Sequence, residues 1–409
     1  MTCLDDHMEH FIYLDNAATT RCCDEAVEEM MPFFTEEYAS PMAQYRAGFE
    51  VNSALNEARK RAASLIGAER DEIIFTSSGT ESNNLFLRGA VMAIKRGLIA
   101  RPGGHRVTPQ DGKITVITDS AEHASMLRTC ADITEEFDDV RVITVPVDRE
   151  GYIDEGAFEK ALFCGPSIVS IMHVNNETGI INDIEKYCRM AHEAGALFHT
   201  DAVQSVPHIG VNVKKLNVDA ISVSGHKLHG PKGSGFLYVK NPLRLVPQLT
   251  GGGQEKGFRS GTPDTAACVG LGKACEVLRS CGYDCNSAKE SAEAFCEGLS
   301  RLLPEAIINK PKKRGYVPEI VSVSIPDGDA LSFLPDLDMA GICCSAGAAC
   351  SSGKEGISHV LKAMGMEPVL AKGTLRFSFS RYNSPQEAEK AAAIVSSVIT
   401  ANMKNRGIR

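Results

Sequence analysis

The 409-residue chain has no tryptophan, and aromatic residues make up only 6% of it. It has no apolar run near the ~18 residues that a membrane span requires. Positive charge is also short: 43 Lys and Arg face 52 Asp and Glu, a net charge of −9. That balance excludes a chain built to coat nucleic acid. The 14 cysteines include no CxxC pair, so zinc-ligand spacing is missing. Cys22 and Cys23 are adjacent, as are Cys343 and Cys344, and Cys281 and Cys285 are four apart without further ligands. The opening MTCLDDHMEH has neither an apolar signal run nor an Arg-rich stretch. A cytoplasmic location is therefore expected, with the cysteines as thiols in a reducing compartment rather than as a disulfide frame. Internal repeats and low-complexity tracts are absent too.

What is present is an ordinary globular balance: 43% hydrophobic and 23% charged residues, with 36 glycines. A chain this long buries ~75% of its unfolded surface, and two domains are the default. Short apolar runs alternate with helical stretches, the pattern of βαβ units and a mostly parallel sheet. The β-like runs are Ile73–Phe75, Lys113–Thr118, Val140–Val145, Ser167–Val174, Ala196–Thr200 and Asp219–Val223. Gly233–Val239 follows so closely that it reads as an antiparallel partner. Beyond Gly251-Gly252-Gly253 come helical patterns over Ala266–Arg279 and Ala288–Leu303. Two further β-like runs, Ile320–Ile325 and Thr374–Phe379, and a closing helix from Pro385 complete an α+β module. Gly97–Lys113, with Pro102 and Pro109, reads as an exposed loop insertion.

Several residues look chemical rather than structural. Lys227 sits just past a strand end between Gly225 and Gly230-Pro231, where a lysine that forms a Schiff base would have to lie. Asp201, one strand earlier, is either a helix cap or the ion-pair partner of a pyridinium nitrogen, which makes pyridoxal phosphate an electron sink. Ser77-Ser78-Gly79-Thr80-Glu81 precedes a helix. By itself it is a capping box, but its free N–H groups also suit a phosphate. Ser224 and His226 are further donors nearby. Arg376 lies in an apolar run and needs a partner, either a structural carboxylate or a substrate's. Cys350 stands apart from the other cysteines because glycine and small residues flank it on both sides.

Taken in order, YLDNAATT, IIFTSSGTESNN, EHAS, IMHVNNETG, HTDAVQS, SGHKLHGPKG, GGGQEKGFRSGT, SAGAACSSG and LRFSFSR resemble the cysteine desulfurases. These are pyridoxal-phosphate enzymes of the class V aminotransferase group. The resemblance runs from Tyr13 to Arg381. It implies fold type I, aspartate-aminotransferase-like: a large α/β domain with a mostly parallel seven-stranded sheet and a smaller α+β domain. The expected division is 16–262 for the large domain, with 1–15 and 263–409 for the small one.

The resemblance also implies roles. Lys227 would be the Schiff-base lysine, Asp201 the partner of the pyridine nitrogen and Gln204 that of the phenolic oxygen. His123 would stack on the ring and carry protons, and Asn176 would lie near cofactor and substrate. Gly79, Thr80, Ser224 and His226 would hold the phosphate, joined by Thr262 from the other subunit of a homodimer. Arg376 would bind the substrate α-carboxylate. Cys350 would take sulfur from L-cysteine as a persulfide, leave alanine, and pass the sulfur to an acceptor such as an iron-sulfur scaffold. No metal is expected. Ser40 and Tyr45 depart from the family's usual asparagine and histidine. Tyr45 and GGGQEKGFRSGT resemble the related selenocysteine lyases, so selenocysteine is the alternative substrate. An ordinary aminotransferase has no use for Cys350, and a catalytically dead scaffold has none for the complete set of site residues.

Overall fold

The computed structural model describes residues 11–99, 112–282, 286–312, 315–347 and 357–407. Its strands, in chain order, are β1 (Ile12–Tyr13), β2 (Ile73–Thr76), β3 (Ile114–Asp119), β4 (Val140–Val145), β5 (Ile168–Ser170) and β6 (Leu197–Asp201). Then follow β7 (Ala220–Ser224), β8 (Gly235–Val239), β9 (Ile307–Ile308), β10 (Ile320–Ser324), β11 (Ile342–Cys343) and β12 (Thr374–Ser378).

Seven strands form one sheet in the order β2-β8-β7-β6-β5-β3-β4. The central ones are Val- and Ile-rich and buried along their whole length, as strands covered on both faces must be. Only β8 runs against its neighbours, as its short connection from β7 requires. The other strands are parallel. Their carboxyl ends therefore share one edge, the edge where ligands bind in open α/β sheets. β5 is shorter than the apolar run Ser167–Val174. Past Ser170 the chain still donates to β6, from Ile171 N to the His199 carbonyl at 3.1 Å and from His173 N to that of Asp201 at 3.0 Å, before Val174 bridges to Ile181.

Helices Arg46–Ile66 and Thr265–Cys281 cross closely on one face. A Cβ on Gly272 would stand 2.5 Å from the Ala58 Cα, so only glycine allows this approach. Cys268, Leu271, Ala274 and Cys275 of the second helix belong to the same core as Phe198 and Phe236 of the sheet. By packing, helix Thr265–Cys281 sides with the core of the large unit as far as Leu278, beyond the expected boundary at 262.

The second unit is the antiparallel sheet β12-β10-β9 with helices Asn286–Leu302, Ala330–Met339 and Pro385–Asn405. The chain's beginning joins it: β1 pairs with β11, and Ile12 and Leu14 enter its core. Phe295 is its hub. It is fully buried, with its ring centroid 4.7 Å from that of Phe377 and 5.5 Å from that of Phe379. Phe295→Ala is expected to cost about 3–5 kcal/mol, because the cavity is lined by other large rings that cannot collapse into it. Urea denaturation monitored by far-UV circular dichroism reads the loss.

Candidate active site

Most of the parallel strands deliver a polar residue to the shared edge: Thr76, Asp119, Ser170, Asp201 and Ser224 end β2, β3, β5, β6 and β7. β6 ends in Asp201, which is buried. Its two carboxylate oxygens accept from the backbone N–H of Val203 at 3.0 Å and from Asn83 Nδ2 at 2.7 Å. β7 ends in Ser224 and passes into a single 3₁₀ turn, Gly225–Lys227. Lys227 Nζ donates to the carbonyls of Ala17 and Ala18, both at 2.6 Å. Gln204 Nε2 donates to the same Ala17 carbonyl at 2.8 Å. The AAT segment of YLDNAATT therefore meets the lysine and the glutamine together.

β2 leads into helix Gly79–Lys95. Ser78 caps it by accepting from Glu81 N at 3.1 Å, and Glu81 accepts from Ser77 N at 2.8 Å. The N–H groups of Gly79 and Thr80 are left at the positive end of the helix. A Cβ on Gly79 would stand 2.5 Å from Val203 Cγ2, so glycine alone fits. Ser224 Oγ is buried with no partner among the described residues. An unpartnered hydroxyl and a helix N-terminus, opposite a buried carboxylate and beside a lysine, fit the phosphate and ring of pyridoxal phosphate. His226 lies in the same turn, its Nδ1 3.1 Å from Thr19 Oγ1. Burial, aided by Lys227 and Lys232, holds its pKa down at about 4, so it is neutral at pH 7.

His123 caps helix Ala124–Glu136, and its Nδ1 accepts from Ser125 N at 3.1 Å. Burial lowers its pKa, opposed by the charge of Asp201. Asn176 and Arg376 meet directly: Arg376 Nη1 donates to the Asn176 carbonyl at 2.9 Å. Arg376 Nη2 pairs with Asp15 at 2.8 Å, so the buried guanidinium does have a structural carboxylate. Its Nε is buried without a partner among the described residues and keeps one donor in hand. Thr262 is exposed. The segment leading to it is held by Arg59, which forks onto Glu255 at 2.6 and 2.7 Å, and by Arg259, 2.9 Å from Glu81. Cys350 lies outside the described residues, as does 100–111 of the expected loop insertion.

Four contributors escaped the sequence reading: Asp15, Asn83, Asp119 and Glu122. Asn83 had a signal, since asparagine is a poor helix former and here sits inside a helix. Asp119 and Glu122 are both buried, and Glu122 lies within reach of the charges of Asp119 and Asp201. Burial pushes Glu122 well up, and the charges of Asp119 and Asp201 add to the shift. Burial also pushes Asp119 up from 3.8 to about 7.

A carboxyl whose pKa is raised by folding stabilises the fold fully below its unfolded pKa and loses that stability as pH rises through the folded value. For Asp119 the window runs from 3.8 to about 7. Asp119 Oδ1 accepts from Ala121 N at 2.8 Å, a bond that Asn retains. Asp119→Asn is therefore expected to stabilise the protein most above pH 7, by roughly 2 kcal/mol at pH 9, and by well under half of that at pH 5. Thermal melts at the two pH values test it.

The family model described as aminotransferase class-V matches residues 12–390. The chain belongs to the cysteine desulfurase branch of the class-V aminotransferases. It is 38% identical over 389 residues to cysteine desulfurase 2 of Trichormus variabilis, covering 95% of this chain and 93% of that one. The solved structure of a NifS-like protein superposes with a TM-score of 0.84 at 32% identity, covering 96% of this chain and 100% of that chain. A structure described as SspA in complex with cysteine gives 0.76 at 30% identity, covering 91% and 99%. The cofactor is pyridoxal phosphate, in keeping with this family and with the site's donors. No described helix is long and apolar enough to cross a membrane.

Proposed function

We propose that this chain removes sulfur from L-cysteine, leaves L-alanine, and carries the sulfur as a persulfide on Cys350. The observation that carries the reading is the meeting of Lys227, Asp201 and Gln204 at one sheet edge, Lys227 and Gln204 on the Ala17 carbonyl. Pyridoxal phosphate supplies an electron sink for the carbanion at the substrate Cα. Gly79, Thr80, Ser224 and His226 hold its phosphate, Asp201 its ring nitrogen and Gln204 its phenolic oxygen.

Lys227 takes the Cα proton and returns a proton to the product. His123 carries protons at the sulfur side. Arg376, beside Asn176, orients the α-carboxylate. The thiolate of Cys350 attacks the substrate sulfur: an S–S bond forms and the Cβ–S bond breaks. Its electron pair stays on carbon, which takes up a proton and becomes the alanine methyl. Chain connectivity supports the assignment. Gly347 and Ser358 flank the segment of Cys350, and both abut Glu177, next to Asn176. Ser358 Oγ donates to Glu177 at 2.5 Å, and a Cβ on Gly347 would lie 3.2 Å from the same carboxylate. Three peptide steps from Gly347 limit the reach of Cys350 to ~11 Å.

Thr262 reaches the phosphate from the partner in a homodimer. What supports a second copy is the apolar surface around the start of helix Arg46–Ile66. Tyr38 is 77% exposed there and Phe49 62%, with Phe34 and Tyr45 close in sequence. Tyr45 itself is solvent-facing within one chain. The persulfide is handed to an acceptor protein such as an iron-sulfur scaffold, in the cytoplasm.

The test is purified protein, pyridoxal phosphate, a thiol reductant and either L-cysteine or selenocysteine. Equal yields of alanine and sulfide from cysteine are expected. Release of selenide with no sulfide would overturn the reading and favour the selenocysteine lyases.

A further inference from the structure

Asn83 is fully buried inside helix Gly79–Lys95. Its Nδ2 donates twice, to Asp201 Oδ2 at 2.7 Å and to Ser125 Oγ at 2.9 Å. The opposite amide orientation would set an oxygen against a carboxylate, so Asp201 dictates which way Asn83 points. Asn83 Oδ1 indeed has no partner among the described residues. Ser125 Oγ therefore accepts from Asn83, and its single proton is left for His123 Nδ1, 2.8 Å away. The Ser125 backbone N–H points at the same nitrogen at 3.1 Å. Two donors converge on Nδ1, which leaves no room for a proton there.

We infer that Asn83 and Ser125 are positioning residues that hold His123 as the Nε2–H tautomer, so that it gives and regains its proton at Nε2 alone. The polarity of the whole chain, from amide to hydroxyl to imidazole, is set by the charge on Asp201. The other groups facing His123 are Lys227 beyond β7, His359 at the start of helix His359–Ala363, and Glu122, which accepts from His123 N at 3.3 Å. Asp201 favours the charged imidazole; Lys227, His359 and burial oppose it. The two donors on Nδ1 add to that opposition, since they bond only to the neutral ring. The inference rests on the proposed function only for what the Nε2 proton does in turnover.

The experiment is ¹H–¹⁵N correlation of histidine-labelled holoenzyme, with His123 assigned by its loss in His123→Gln. Wild-type His123, once its ring is neutral, is expected as the Nε2–H tautomer. Ser125→Ala removes a donor and raises the His123 pKa by about half a unit or more; Ser125→Thr restores it. Asn83→Ala shifts it in the same direction, and the double variant goes no further than Ser125→Ala, because Asn83 acts through Ser125. An Nδ1-protonated wild type, an unmoved pKa in Ser125→Ala, or additive shifts would each overturn the inference. If Asn83→Ala fails to fold, the wild-type tautomer and the Ser125 pair still decide. The spectra need no turnover, so an inactive protein with the expected tautomer would count against the proposed function and not against this one.

Discussion

Lys227→Ala is expected to lower alanine formation from cysteine by ~10⁴-fold or more, with the fold retained. The reaction needs a base at Cα, and the lysine brings an amine to the cluster formed with Asp201, Gln204 and the Ala17 carbonyl. Its stability role is smaller. The two carbonyls it bonds, those of Ala17 and Ala18, belong to a turn that other bonds also hold: Gln204 reaches Ala17, and Thr20 N donates to the His226 carbonyl at 2.9 Å. The loss should be about 1–2 kcal/mol, readable in a urea titration. Three measurements separate chemistry from collapse. The variant should keep its far-UV circular dichroism. Borohydride treatment of wild-type holoenzyme should fix cofactor mass on the peptide containing Lys227, and the variant should show no such adduct. A small primary amine added to the variant should return part of the rate. A variant with about 1% or more of wild-type turnover would remove Lys227 from its role.

Much of the site's frame was readable from strand ends. Asp201, Ser224 and Lys227 each follow an apolar β-run, and parallel pairing brings consecutive run ends to one edge. The antiparallel turn to β8 was equally legible from loop length. What stayed hidden depends on side-chain direction and on contacts far apart in sequence. Asp15 and Arg376 are separated by 361 residues, and they meet because Asp15 bridges to Ser378 on β12 just past the pairing of β1 with β11. Arg376 alone looked like either a structural or a substrate-binding charge, and it has the structural carboxylate as well as a spare Nε donor. Asp119 and Glu122 gave no signal in the sequence, because burial on a β-to-helix turn has no periodicity to betray it. The expected boundary at 262 and the packing differ for a related reason. The glycines near 251–253 mark a change of local character, yet helix Thr265–Cys281 still packs on the first core. Composition shifts report chain flexibility, and packing decides membership.

Cys350→Ala is expected to lower sulfide release from cysteine by at least ~10³-fold, because the attacking thiolate is the only route by which the substrate's sulfur leaves as a persulfide. The competing thiols can be weighed one by one. Burial pushes the Cys344 pKa far up, with Asp15 and Cys343 adding to it, so near the site it stays a protonated thiol. Burial does the same to Cys268 and Cys275 in the large core. Cys281 is different: it is exposed and lines the same cavity as Lys227, with His208, His229 and Arg381. It is the sharpest control, and Cys281→Ala is expected to leave sulfide release within about twofold of wild type. Selenocysteine distinguishes the remaining reading. A carbon–selenium bond breaks without a sulfur-accepting thiol more readily than carbon–sulfur, so a lyase would keep selenide release in Cys350→Ala. Loss of sulfide with selenide retained would make Cys350 a sulfur-specific nucleophile on a site open to both substrates. Full sulfide release by Cys350→Ala would end the persulfide assignment. A loss in Cys281→Ala instead would move the nucleophile to the Lys227 cavity.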